Sequence, residues 1–127
     1  MPVRVLLVDD EPMFLAALHA LLDRDRRIDV VGSADNGRTA IELARRMKPD
    51  VVLVDLAMPG VDGFEVTRHV VSSDSSARVV AVSGLSHDDD VEKARAAGAT
   101  AFLLKGGLED EIADAIVAAS ESGQALA

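Results

Sequence analysis

Residues 5–12 read VLLVDDEP, an apolar run that leads directly into three carboxylates and a proline. A Val- and Leu-rich run without polar residues is typical of a strand that is covered on both faces of its sheet. Carboxylates do not suit such a buried position. We therefore expect Asp9 and Asp10 where this strand emerges from the sheet, and Glu11 and Pro12 at the start of a helix.

Similar apolar runs recur along the chain and predict the strands of one sheet. In chain order, the predicted strands lie at 3–9, 28–34, 51–56, 78–84 and 100–105. The run at 28–34 is the weakest, and we expect it at an edge of the sheet. Between the runs, apolar residues recur at helical spacing and predict helices. These helices begin at or next to Pro12, Asn36, Gly63, Ser86 and Leu108.

Strand and helix thus alternate five times along the chain. Units of this length imply right-handed crossovers and a parallel sheet between two layers of helices. We expect an α/β fold of the flavodoxin-like, doubly wound (βα)5 type, with strand order 2-1-3-4-5. The length of 127 residues fits one domain. We assign residues 1–121 to this domain and residues 122–127 to a tail or the start of a linker.

Composition excludes several classes of function. The net charge of -9 disfavours direct binding to nucleic acid or to anionic lipid. The absence of cysteine excludes disulfides, thiolate nucleophiles and cysteine-bound zinc. The sequence has neither a signal peptide nor an apolar run long enough to span a membrane, so we expect a cytoplasmic protein without membrane contact.

Polar residues end four of the predicted strands. In a doubly wound sheet, ligands bind beyond the carboxyl ends of the strands, where the strand order reverses. Asp9 and Asp10 end the first strand, Asp55 the third, Ser83 the fourth and Lys105 the fifth. Each residue alone is explained as a helix cap, a turn former or a surface charge. Their coincidence at one edge of the sheet favours a functional site.

The expected cluster of carboxylates indicates a cation. Carboxylates about 5 Å apart repel each other by about 3 kcal/mol per pair at an effective dielectric constant near 20. Ligands that are all oxygen favour Mg²⁺. A carboxylate held beside Mg²⁺ can attack a phosphoryl group, because this transfer needs mainly positioning and charge stabilisation. Lys105 and Ser83 are placed to hold the remaining phosphate oxygens.

Four stretches resemble the receiver domain of two-component response regulators. They are VDDEP at 8–12, VDLAMPGVDGFE at 54–65, AVSG at 81–84 and GATAFLLKGG at 98–107. They occur in the family's order and span nearly the whole chain. The LLKGG stretch and the helix after it are most similar to NarL-type regulators, whose receivers precede a LuxR-type helix-turn-helix. The resemblance implies a signalling domain that catalyses only its own phosphorylation and dephosphorylation, rather than an enzyme.

The resemblance implies a role for each acidic residue of the site. Asp55 corresponds to the aspartate that accepts a phosphoryl group from a sensor histidine kinase or from a small acyl phosphate. Asp10, Asp55 and the backbone carbonyl of Ala57 are implied to bind Mg²⁺ directly. Asp9 is implied to act on the metal through a water molecule.

The resemblance also implies how phosphorylation is read out. Lys105 would hold one phosphoryl oxygen, and Ser83 would hydrogen-bond another. Phe102 would be the aromatic switch that moves inward when Ser83 is drawn to the phosphate. The surface of the fourth helix, fifth strand and fifth helix would then control homodimerisation and transcription. Contact with DNA would be made only by a helix-turn-helix domain that this chain does not contain.

The sequence departs from the common receiver pattern at four positions. Gly106 follows the lysine where many receivers have a proline with a cis peptide bond, and Phe102 replaces the commoner tyrosine. Ala57 and Leu85, which flank the acyl phosphate in the family, are apolar here. Their apolar character leaves the rate of dephosphorylation open.

Three other functions are compatible with parts of the pattern. A phosphatase of the haloacid-dehalogenase kind also uses an aspartyl nucleophile, but it needs a second aspartate at the position of Ala57. A flavin carrier of the same fold needs a phosphate-binding loop after the first strand. There, the carboxylates of Asp9, Asp10 and Glu11 would repel the phosphate. A pseudo-receiver would act through protein contacts alone, which the complete set of site residues disfavours.

Overall fold

The computed structural model describes residues 1–73, 76–84 and 88–121. Within these residues the chain forms one parallel sheet of five strands in the order β2-β1-β3-β4-β5. The strands are β1 (Val3–Val8), β2 (Ile28–Ala34), β3 (Val51–Asp55), β4 (Arg78–Ser83) and β5 (Ala101–Leu104). The helices are α1 (Pro12–Leu22), α2 (Gly37–Met47), α3 (Gly63–Ser73), α4 (Asp88–Ala97) and α5 (Ile112–Glu121). The predicted fold class and strand order are confirmed.

The last helix begins later than predicted, and local hydrogen bonds determine where the first helix ends. The first helix ends at Leu22, because the N–H groups of Arg24 and Asp25 bond to carbonyl groups only three residues back. The last helix begins at Ile112, because Leu108–Asp110 forms a separate 3₁₀ turn. The expected cap of α4 at Ser86 lies outside the described residues.

The sheet is covered on both faces, as its unbroken apolar strands indicate. Side chains alternate between two buried clusters. Leu6 and Val8 of β1 belong to the cluster under α2, α3 and α4, whereas Val5 and Leu7 belong to the cluster under α1 and α5. Since β1 pairs with both β2 and β3, its carboxyl end lies where the strand order reverses. No helix in the described part of the chain is long and apolar enough to cross a membrane.

Gly63 lets α3 begin directly against the end of β3. A Cβ atom at this position would lie 2.3 Å from the carbonyl oxygen of Asp55 and 2.6 Å from the Cα atom of Leu56. Backbone atoms of a central strand cannot move away without disturbing the sheet. Glycine therefore allows the close approach that fixes the end of the strand carrying Asp55.

We expect the substitution Gly63→Ala to lower the free energy of unfolding by about 2 kcal/mol or more, because the methyl group would overlap backbone atoms. Urea denaturation followed by far-ultraviolet circular dichroism measures this change. Gly106→Ala is the matched control, since a Cβ atom there would meet no other atom within 4 Å. Equal unfolding midpoints for the two variants would contradict the role given to Gly63.

Candidate functional site

The carboxyl ends of four neighbouring strands bring polar side chains to one edge of the sheet. Asp9 follows β1, Asp55 ends β3, Ser83 ends β4 and Lys105 follows β5. Four polar residues are buried in the part of the chain that the structure describes: Asp9, Asp55, Ser83 and Thr67. Three of these four lie at this edge, as predicted, and such burial of polar groups is unusual unless they have partners.

The ammonium group of Lys105 lies among three carboxylates of the described residues. Its Nζ atom is 2.9 Å from Oδ2 of Asp9 and 3.4 Å from Oδ2 of Asp55. It also makes a short hydrogen bond with Oε1 of Glu11. One positive charge thus faces three negative charges.

Both aspartates are oriented by a hydrogen bond from the backbone. Oδ1 of Asp9 accepts the N–H of Glu11 at 2.9 Å, and Oδ1 of Asp55 accepts the N–H of Ala57 at 3.1 Å. These bonds between a side chain and the backbone two residues on are typical of Asx turns. They leave the Oδ2 atoms of both aspartates directed at Lys105.

Burial and charge shift the pKa values at this edge in opposite directions. Burial raises the pKa of the Asp9 carboxyl, and the charge of Asp55 adds to this, although the Glu11 N–H and Lys105 act against it. Burial alone would lower the pKa of Lys105. The close contacts with Glu11 and Asp9 and the charges of Asp55 and Asp9 outweigh burial, so the pKa of Lys105 is well above its usual value. Lys105 is therefore a fixed cation in the neutral pH range.

A cluster of oxygen ligands that could hold a metal ion forms at the same place. Carboxylate oxygens of Asp9, Glu11 and Asp55 lie within 4.8 Å of one another. Oδ2 of Asp9 is buried and has no well-aligned hydrogen bond from the described residues, so it contacts Lys105 only as an ion pair. Hard oxygen donors and a buried lone pair suit Mg²⁺. The site therefore fits this cation.

The structure brings Glu11, rather than Asp10, into this cluster of described residues. Asp10 is half-buried beside it. Glu11 occupies the N-cap position of α1 with an extended backbone, and its side chain makes no capping hydrogen bond. Its carboxylate is therefore available to Lys105. The weak preference of glutamate for N-cap positions could have indicated this from the sequence.

Phe14 is a second neighbour of Lys105 that the sequence analysis missed. Nζ of Lys105 lies 4.5 Å from the centre of the Phe14 ring, within the range of a cation–π contact. Phe14 belongs to the first turn of α1, close to Glu11. The beginning of α1 thus contacts the lysine through both a carboxylate and an aromatic ring.

Ala57 and Phe102 lie in or just beyond strands that carry the site. Ala57 is exposed, directly beyond Asp55. Phe102 is half-buried in β5, pairs with Ala81 of β4 and packs against the cluster under α2, α3 and α4. The peptide bond between Lys105 and Gly106 is trans, like the others that the structure describes. Leu85 lies outside the described residues.

Comparison with known proteins identifies the family of the chain. The family model for the response regulator receiver domain matches residues 5–117 of the chain. The transcriptional regulatory protein LiaR of Bacillus subtilis is 40% identical over 119 residues, which cover 94% of this chain and 56% of LiaR. The nitrate/nitrite response regulator NarL of Escherichia coli K12 is 40% identical over 104 residues, which cover 82% of this chain and 48% of NarL. The chain thus spans about half the length of these relatives.

A solved structure with the same fold is the signal receiver domain of NarL from Mycobacterium tuberculosis. Its TM-score is 0.91 at 36% identity, and the match covers 95% of this chain and 98% of that one. The family match, the relatives and the fold agree with one another. The chain therefore belongs to the response regulator receiver domain family, among receivers of the NarL/LuxR type.

Proposed function

We propose that this domain accepts a phosphoryl group on Asp55, in a reaction that depends on Mg²⁺, and thereby switches a surface formed by α4, β5 and α5. The observation that carries the proposal is the environment of Asp55. One of its carboxylate oxygens is held by a backbone N–H, and the other faces a lysine whose charge is fixed. Such a carboxylate is oriented for attack and has a cation beside it.

In the proposed reaction, a carboxylate oxygen of Asp55 attacks the phosphorus of the donor. A new bond forms between this oxygen and phosphorus, while the bond from phosphorus to the leaving group breaks. The electron pair of the broken bond leaves with the imidazole nitrogen of a kinase phosphohistidine, or with acetate when acetyl phosphate is the donor. Lys105 stabilises one phosphoryl oxygen, and the Ser83 hydroxyl donates a hydrogen bond to another.

Mg²⁺ would be held by Asp10, Asp55 and the backbone carbonyl of Ala57, with Asp9 acting through water. When bound, the ion screens the negative charge of the incoming phosphoryl group. The carboxylate oxygens of Asp9, Glu11 and Asp55 and the buried Oδ2 atom of Asp9 support a cation at this edge of the sheet. The assignment to Asp10 and to the carbonyl of Ala57 rests on the family resemblance. Phosphatase activity of the haloacid-dehalogenase kind is disfavoured, because Ala57 offers no second carboxylate.

Ser83 and Phe102 would carry the output. They lie on β4 and β5, which are neighbouring parallel strands paired by hydrogen bonds. A phosphoryl group brings nearly two negative charges, which would draw the Ser83 hydroxyl and let Phe102 move inward. The exposed side chain of Leu104 on β5 supports a contact surface there. We propose that two phosphorylated copies pair through it.

The same proposal implies the partners of the domain. Residues 1–121 would form the receiver and exchange phosphoryl groups with a sensor histidine kinase in the cytoplasm. By analogy with the named relatives, the output is transcriptional. Any contact with DNA would be made by a helix-turn-helix domain outside this chain.

The first test is phosphorylation by acetyl phosphate in the presence of Mg²⁺. We expect intact-mass measurement to show the addition of one phosphoryl group to the wild type and none to Asp55→Asn, which lacks the nucleophile. A wild type without added mass, or equal addition to both proteins, would overturn the assignment of Asp55.

The second test separates the proposed metal ligand from its acidic neighbour. We expect Asp10→Asn to weaken Mg²⁺ binding by about tenfold or more, because a direct ligand loses its charge. Glu11→Gln should change the affinity for Mg²⁺ much less, because the Glu11 carboxylate contacts Lys105 rather than the proposed metal ion. Calorimetric titration with MgCl₂ measures the affinity of both variants. A larger loss of affinity in Glu11→Gln than in Asp10→Asn would make Glu11 the ligand.

The third test concerns the proposed dimer of phosphorylated domains. We expect acetyl phosphate to raise the molar mass in light scattering towards that of a dimer. Leu104→Ser should prevent this rise without preventing phosphorylation, because it removes an exposed apolar contact. Met13→Ser, which alters an exposed apolar residue of α1, is the control. An unchanged molar mass of the phosphorylated wild type would refute this output.

A further inference from the structure

The ammonium group of Lys105 is surrounded by carboxylates and an aromatic ring in the described structure. A lysine ammonium group has three N–H donors. Asp9, Glu11 and Asp55 each contact Nζ, and the ring of Phe14 covers another side of it. Among the described residues, Glu11 and Asp55 accept hydrogen bonds from Nζ, and the contact with Glu11 is the shorter of the two. Glu11 is therefore the main competitor of a phosphoryl oxygen that approaches Nζ.

The three carboxylates differ in their freedom to withdraw. The side chains of Asp9 and Asp55 are only 2% and 4% exposed, and each is tied to a backbone N–H. Moving Asp9 away from Lys105 would leave a buried charge without a partner, which is costly. A phosphoryl group on Asp55 would bring nearly two negative charges close to Glu11, since carboxylate oxygens of the two residues lie within 4.8 Å of each other. The Glu11 side chain is 64% exposed and makes no capping bond, so it can turn into solvent. An exposed partner is replaced at little cost.

We propose that Glu11 is a positioning residue that occupies Lys105 in the unphosphorylated domain and is displaced when a phosphoryl oxygen binds there. This inference rests on the proposed phosphorylation of Asp55. Glu11 then competes with the phosphoryl donor for the same N–H group, and its charge repels the incoming anion. Phe14 keeps the ammonium group near the edge of the sheet during the exchange, because the cation–π contact does not use the exchanged donor.

Glu11→Gln tests this competition, because the amide keeps the size of the side chain but loses its charge. At saturating Mg²⁺, we expect the rate of phosphorylation by acetyl phosphate to rise about two- to fivefold, which matches the strength of an exposed ion pair. The matched control is Glu109→Gln. Glu109 is exposed and lines the same groove as Lys105, but it is not among the carboxylates that contact Nζ. This control should leave the rate near that of the wild type.

A second measurement needs neither phosphate nor metal. Trace acetylation with acetic anhydride, read by peptide mass spectrometry in the presence of a chelator, reports how free each lysine is. The chain has three lysines, so Lys48 and Lys93 serve as internal references. We expect Glu11→Gln to raise the labelling of Lys105 alone, by about two- to fivefold. Lys48 and Lys93 are exposed, so their labelling normalises the dose of reagent. Equal urea unfolding midpoints for Glu11→Gln and Glu109→Gln would exclude a general loosening of the fold.

The outcomes separate the two proposals. Unchanged Lys105 labelling in Glu11→Gln would overturn the role of Glu11, whatever the phosphorylation result. A slower phosphorylation of Glu11→Gln than of Glu109→Gln would also overturn it, since loss of a metal ligand has that effect. Increased labelling with no phosphorylation of the wild type would instead overturn phosphoryl acceptance by Asp55, and the displacement step with it.

Discussion

The ion pair between Lys105 and the buried aspartates is the constraint on which the site depends. Two carboxylates as close as Asp9 and Asp55 repel each other by about 3 kcal/mol at an effective dielectric constant near 20. Neither is exposed enough for water to screen it. The compensating charge comes from β5, at the far edge of the sheet, and reaches across β4 to β3 and β1. Only a completely assembled sheet provides this compensation, so the site and the fold are formed together.

The sheet also fixes the backbone from which these side chains extend. Backbone hydrogen bonds continue for one residue beyond three strands: Asp9 N–H donates to Ala34, Leu56 N–H to Val82 and Lys105 N–H to Ser83. The polar residues are therefore attached to the rigid end of the ladder rather than to loose loops. Gly63 completes this arrangement, because it lets α3 start against the carbonyl group of Asp55. Little reorganisation of the backbone is needed before a ligand binds.

The sequence was sufficient to predict the fold and the position of part of the site. The unbroken apolar runs predict the strands, and their alternation with helices predicts a parallel sheet and its strand order. Four polar residues could therefore be placed at one edge of the sheet: Asp9, Asp55, Ser83 and Lys105. The contacts of Glu11 and Phe14 with Lys105 could not be predicted in this way. The first strand ends at Val8. Beyond it, the direction of each carboxylate depends on a local turn and on the start of α1, which the apolar pattern does not describe. The 3₁₀ turn before α5 likewise leaves no mark in the apolar pattern.

The excess of negative charge at the edge of the sheet indicates how the proposed modification of Asp55 would move other groups. Three carboxylates and one lysine leave a surplus of negative charge in the resting domain. A phosphoryl group on Asp55 would replace one negative charge by nearly two. Lys105 alone cannot balance this increase, so a divalent cation must be bound or an acidic side chain must leave. Asp9 is held by burial and by the backbone. If Mg²⁺ offsets part of the increase, as we propose, Glu11 is the carboxylate that can leave at little cost, because its side chain is exposed. The proposed chemistry at Asp55 would then be linked to the position of this side chain at the start of α1.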